Sequence, residues 1–309
     1  MSSPTSFAQQ VAQRIHKGKA PEDESSRKNT RTEYIEVPTG NQILLMTPAM
    51  LSRYKQLLNF PIVQWKYVDL TVLEEFECKY GLERLIQEPY WNHLLSLRQD
   101  TFIPLVHEFI ASLHVEGVTG DLYSPTIKFR LFNQDHHISA NNLGVLLGFY
   151  EEGDQSKHWY RRLKHDFGDR DTPRKYWAMI AKPGIDWVGS RVRVFHIVRE
   201  DLRVLWKVIA HSWEGRPEAY DRVSKTELFM LWSMDTGSSV NMSLICKNWL
   251  IAQQQESTRA IFIGPLVTRL CVALGHQMKM HWFEHRLQGA HIVPLLGRRK
   301  AKSKTSSVN

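Results

Sequence analysis

Apolar residues recur at helical spacing along most of this chain, and the signals between the runs are those of helix ends. Thr47-Pro48 supplies an N-cap with proline at the first helical position, ahead of Met50, Leu51, Tyr54, Leu57 and Leu58. Leu82, Leu85 and Ile86 precede Pro89, and Trp91, Leu94 and Leu95 follow it, which predicts two short helices broken at the proline. Ile103, Val106, Phe109, Ile110 and Leu113 line one face of a helix over 101–113.

The period then changes. Thr126 to Phe132 alternates apolar and polar residues, and Asn133-Gln-Asp135 follows with turn chemistry, so this stretch is read as one arm of a small hairpin. Ser139 caps a further helix that carries Leu143, Val145, Leu146 and Leu147 and stops at Gly148. Residues 151–175 are strongly polar and read as an excursion of loop and helix. Alternation at Arg191-Val-Arg-Val-Phe195 predicts a short strand. Leu202, Leu205, Trp206, Ile209 and Trp213 return to helical spacing, and Ser224-Lys-Thr-Glu227 has the form of a capping box. Two more helices are expected over 241–253 and 265–274, the second opening after Gly264-Pro265.

The fold class this predicts is mainly α, a multi-helix globular domain with a small β-hairpin element and disordered basic or polar termini. Residues 1–33 read as a disordered tail, 34–297 as the helical domain and 298–309 as a basic tail. A division into lobes 34–150 and 176–297, joined by the polar excursion 151–175, is a second way to cut the same chain.

Composition narrows the class further. Of 309 residues, 42% are apolar and 23% charged, enough to bury a sizeable core. No apolar run is long enough to span a bilayer, and no apolar stretch follows the early cations, so neither a membrane partner nor a secretory signal is expected. Three cysteines, Cys78, Cys246 and Cys271, lie far apart without a CxxC pair, which suits a reducing compartment and an intracellular site, nucleus or cytoplasm. The net charge of +8 is unevenly spread: residues 61–125 sum to −6, 126–210 to +5 and 211–309 to +6. Such asymmetry points to surfaces with different partners.

Two motifs resemble catalytic elements. Asp235-Thr-Gly-Ser238 has the form of an aspartic-protease loop, where paired carboxylates share a proton and activate water. Leu295-Leu-Gly297 matches the apolar-apolar-Gly element of retroviral-type proteases. That chemistry needs a strand-borne loop, however, and the flanks of Asp235 have helical spacing, so a turn between helices is the favoured reading and the protease the alternative. His281-Trp-Phe-Glu-His285 sets two histidines one helical turn apart, as in inverted zincins, but no Asp or Glu follows it as a third ligand. No catalytic residue, metal site or cofactor is therefore predicted.

Nucleic-acid binding has broader support. Between 157 and 175 there are seven cations against three acids, interleaved with Trp159 and Tyr160. Lys157, Arg161, Arg162, Lys164, Arg174 and Lys175 are the candidate contacts, together with Arg298, Arg299 and Lys300 in the basic tail. The expected partners are RNA or DNA, a basic partner for the acidic 61–125 face, and another copy of the chain through self-association.

Three stretches carry a family resemblance. They are Val106-His-Glu-Phe-Ile-Ala-Ser-Leu113 with Ile127-Lys-Phe-Arg-Leu-Phe-Asn133; Leu143-Gly-Val-Leu-Leu-Gly-Phe149; and Val240-Asn-Met-Ser-Leu-Ile-Cys246 with Ile263-Gly-Pro-Leu-Val-Thr-Arg-Leu270 and Ala273-Leu-Gly275. In their order they resemble the first-reading-frame proteins of Athila-type plant retrotransposons, over roughly residues 50–280. The resemblance implies descent from a Gypsy-class element, a gag-like structural role and no catalytic residues. It also implies a helix connection at Asp235. The zinc knuckle of many gag proteins does not occur in this chain.

Overall fold

The computed structural model describes residues 33–36, 42–45, 47–68, 79–116, 126–189, 191–213, 221–255, 260–280, 286–288 and 290–291. Eleven helices are found among them: α1 (Pro48–Leu57), α2 (Lys79–Leu85), α3 (Pro89–Leu95), α4 (Ile103–Ser112), α5 (Ala140–Leu147), α6 (Asp171–Ile180), α7 (Glu200–Ser212), α8 (Lys225–Thr236), α9 (Met242–Gln255), α10 (Gly264–Ala273) and α11 (Gln277–Met280). The strands are short: β1 (Glu33–Glu36), β2 (Gln42–Leu45), β3 (Lys66–Tyr67), β4 (Thr101–Phe102), β5 (His114–Glu116), β6 (Thr126–Leu131), β7 (Gln134–Ser139), β8 (Arg286–Leu287) and β9 (Ala290–His291). The fold is mainly α with small β elements.

The centre of the molecule is α4. Its residues from Pro104 to Ser112 are all buried, so it is a core helix covered on every side rather than an amphipathic surface helix. Against it lies an antiparallel sheet of order β5-β6-β7, with Phe129 opposite His136 and Leu131 opposite Gln134. The alternation at 126–132 thus forms β6. Its partner β7 reads Gln-Asp-His-His-Ile-Ser, and its polarity hid it from periodicity.

The turn between β6 and β7 is Phe132-Asn133, with φ of 52° and 62°. Two left-handed residues in succession make the tight hairpin connection that glycine and asparagine favour, and a bulky Phe there is strained by about 1–2 kcal/mol. The compensation comes from inside the core. Glu108 on α4 accepts the amide of Phe132 at 2.9 Å through Oε2 and that of Asn133 at 2.8 Å through Oε1. Burial pushes the pKa of Glu108 above the ordinary value, while the two amides and the nearby Arg130 oppose that shift. Arg130 in turn donates to Asp135 and to the carbonyl of Asn133.

Helix ends follow the capping residues. Thr47 accepts from Met50 N, Ser139 from Asn142 N, and Ser224 and Glu227 close a complete capping box on α8. Gly148 ends α5 in the left-handed conformation. Close packing also depends on Gly144: a Cβ there would lie 2.0 Å from Ser243 Oγ, so only glycine lets α5 sit this near the start of α9. Tyr hydroxyls lock the same junction. Tyr150 donates to Val240 O and accepts from Met242 N, and Tyr160 bonds Ser243.

One expected element differs. Residues 191–195 do not form a strand; Val194–His196 is a 3-10 turn, and pairing is limited to Arg193 with Arg222. Arg191 and Arg193 still point outward and Val192 inward, which explains the alternation without a ladder. The tails 1–32 and 292–309 lie outside the described residues.

Two stability tests follow from this core. Glu108→Gln places an NH2 group against one of the two turn amides and lowers stability in urea by about 1–3 kcal/mol; an unchanged midpoint would contradict the role given to this carboxylate. His107 is buried against the Tyr54 ring, and burial lowers its pKa to about 4 from 6.5. Because the folded-state pKa is the lower one, the unfolded chain takes up the proton first. Stability is therefore full above 6.5 and falls as pH drops towards 4. His93, lowered chiefly by burial, adds to the same trend. Between pH 7 and 4.5 the natural protein loses about 2 kcal/mol more than His107→Phe does; parallel losses in the two proteins would refute this assignment.

Candidate nucleic-acid interface

The polar stretch from 154 to 180 forms an outer layer, laid first against α5 and the start of α9 and then over α8. Asp154 opens it: one carboxylate oxygen accepts Glu151 N and the other holds Lys157 Nζ at 2.7 Å. The Lys157 pKa is accordingly raised, first by that hydrogen bond. Tyr160 and Leu163 turn inward, and Trp159, Arg161 and Arg162 turn outward. The carbonyl of Lys164 accepts Asn241 N at 2.7 Å, while its ammonium lies 5.1 Å from the centroid of the Trp232 ring. Phe167 packs edge-on to Phe229.

Asp169 then caps the start of α6, accepting from Asp171 N, Thr172 N and Thr172 Oγ1. Those bonds, the Thr172 amide first, hold its carboxyl below the usual range. In α6 the residues Pro173, Tyr176, Trp177 and Ile180 are buried, and Arg174 and Lys175 are exposed one to two positions away on the other face. Helical and 3-10 periodicity thus sort this stretch: Tyr160, Phe167, Tyr176 and Trp177 face inward, and the cations face outward together with Trp159. Of the candidates chosen from sequence, Lys157, Arg161, Arg162, Lys164, Arg174 and Lys175 all lie on this outer layer. Lys157 is bound to Asp154 and Lys164 rests on Trp232, so Arg162, Arg174 and Lys175 are the better-placed phosphate contacts. Arg298, Arg299 and Lys300 lie outside the described residues.

Sequence reasoning left out the next part of the layer. Lys182 Nζ and the Arg193 guanidinium each lie 5.8 Å from the centroid of the exposed Phe195 ring. The spacing of Arg191, Arg193 and Phe195, with Val192 buried between, is the signal that could have added them. On the acidic side, three of the ten acids between 61 and 125 are used within the fold. Glu108 is buried, Glu116 pairs with Lys128, and Asp100 pairs with Arg286.

Asp235 sits in the last turn of α8, and Gly237 ends that helix with φ of 64°. The tetrapeptide therefore connects α8 to α9. Its carboxylate accepts Arg199 Nη1 at 2.6 Å and Tyr176 OH at 3.3 Å, with Arg84 at 3.7 Å. Arg199 also clasps Asp201 at 2.6 Å. Burial alone would raise the Asp201 pKa, but the Arg199 contacts outweigh it and bring it below the ordinary value. This network ties α6, α7 and α8 together through one guanidinium. The strand-borne loop required for a protease is not what holds Asp235. His281–His285 lies outside the described residues, and among the described residues no cluster of three His, Cys, Asp or Glu side chains is arranged to hold a metal. Cys246 and Cys271 are buried, and burial raises both thiol pKa values. Among the described residues no helix is long and apolar enough to cross a membrane.

Comparison with protein-family models, with curated proteins and with solved structures finds no match to this chain.

Asp235→Asn strips the negative partner from Arg199 in a site where the carboxylate is only 11% exposed. The expected result is a loss of about 1–3 kcal/mol in chemical unfolding. A variant as stable as the natural protein would show that the network does not fasten the outer layer.

Proposed function

We propose that this chain is a non-enzymatic, retrotransposon-derived helical protein that binds nucleic acid by its phosphate backbone through the outer layer from Lys157 to Arg193. The observation that carries the proposal is the sorting of that layer. Tyr160, Leu163, Phe167, Tyr176, Trp177 and Ile180 are committed to the core, and the exposed positions, besides Trp159, Met179 and Val188, hold Arg161, Arg162, Arg174 and Lys175, with Lys182, Arg191 and Arg193 beyond. A cationic surface on a fixed backbone attracts polyanions by displacing their counterions, a sequence-independent and salt-sensitive interaction.

The origin proposed here rests on the resemblance to Athila-type first-reading-frame proteins. The stretches that carry it fall in α4, β6, α5, α9 and α10, elements that pack directly on one another in the core. A gag-like structural role fits the described residues, whose exposed chemistry in the outer layer is charge.

Replacing Arg162, Arg174 and Lys175 together by Ala is expected to weaken binding to a mixed-sequence duplex. It should also reduce the steepness of log K against log salt by about 2–3. Fluorescence anisotropy at several salt concentrations measures both. Equal affinity and slope in the variant would remove this surface from the function.

A further inference from the structure

We propose that the interface takes single-stranded nucleic acid, with one base stacked on Trp159; this inference rests on the nucleic-acid reading above. Trp159 is 45% exposed, although a ring of this size is usually buried when the fold can use it. It precedes a 3-10 turn, Tyr160–Arg162, in which Arg162 N bonds Trp159 O at 3.1 Å. In such a turn side chains three apart eclipse each other. Trp159 and Arg162 therefore stand on one outward edge, while Tyr160 and Leu163, also three apart, stand on the buried edge. The result is an indole face with a guanidinium one turn along the same edge.

The indole is also held in place. Its ring centroid lies 5.9 Å from that of Tyr160 and 6.4 Å from that of Tyr150. Both tyrosines are fixed by their hydroxyls to the start of α9, Tyr150 at Val240 and Met242 and Tyr160 at Ser243. A base stacking on Trp159 thus meets a surface that is already ordered, so little side-chain entropy is lost on binding. In a duplex the base faces are covered by their neighbours and reaching one costs unstacking, whereas single strands offer theirs directly to a ring. The pairing of an aromatic face with flanking cations is the physical basis of sequence-tolerant single-strand binding. An acidic peptide would match the cations equally well, but its charged side chains bring no aromatic ring, whereas every nucleotide carries one beside its phosphate.

The test compares a fluorescent oligo(dT) or oligo(U) with a duplex of the same length, using the full chain. Trp159→Ala is expected to weaken single-strand binding about tenfold or more. Duplex affinity and the salt slope for either probe should stay unchanged. Trp159→Phe keeps a π-face and retains most of the affinity, whereas Trp159→Leu keeps apolar bulk without one and behaves like Ala. That contrast separates stacking from any effect on folding. Single-strand affinity unaffected by Ala, or equal losses on both probes, overturns the stacking inference while leaving phosphate binding intact. Failure of the natural protein to bind either probe overturns the nucleic-acid reading, and the stacking inference falls with it.

Discussion

The carboxylate of Glu108 receives the amide hydrogens of Phe132 and Asn133, and through those two bonds a helix buried on all sides fixes the geometry of the neighbouring hairpin. The turn is left-handed at both residues and carries a phenyl ring where glycine would be unstrained. Without an internal acceptor the two amides of this strained turn would lose their fixed partners. With one, the hairpin register is set, and Ser139 at its end is positioned to cap α5. Helix α5 then meets α9 at Gly144 and Ser243, where the tyrosines of the candidate interface are also tied. A buried charge is costly on its own; here its hydrogen bonds serve to specify one arrangement.

The outer layer depends on a second charged group. Arg199 joins Asp201 in the first turn of α7 to Asp235 on α8 and, through Asp235, to Tyr176 on α6. The planar fork of a guanidinium can serve two carboxylates at once, which an ammonium cannot do with the same directionality. The layer that displays the cations is therefore fastened at its far end by an ion network and near its start by aromatic and hydroxyl contacts. This explains how a polar stretch with little regular structure presents a defined surface.

Local chemistry was the most legible part of the chain. Thr47, Ser139, Ser224 with Glu227, and Gly148 all mark helix ends where their side chains or backbone freedom are needed, because capping depends on residues three or four apart. The helical flanks of Asp235 were legible for the same reason. Strand β7 was not, since its stability comes from pairing with β6 and not from its own polar composition. Nor were the two-residue pairs β3–β9 and β4–β8, which join segments some two hundred residues apart. The alternation at Arg191–Phe195 truthfully reported which side chains face outward, yet a 3-10 turn achieves that sorting as well as a strand does.

Helix positions, their caps and the clustering of cations between 157 and 175 were thus fixed by short-range preferences written along the chain. Which of those cations remain available to a ligand was decided by partners distant in sequence. Trp232 lies under Lys164, while the tyrosines pinned at Val240, Met242 and Ser243 flank Trp159. The fate of the acids was likewise decided in space, with Glu108 drawn inside and Asp235 locked to Arg199. The difference has one physical cause. Backbone preferences act over a single turn, whereas burial, ion pairing and the exposure of a ring are set by whatever the fold brings alongside.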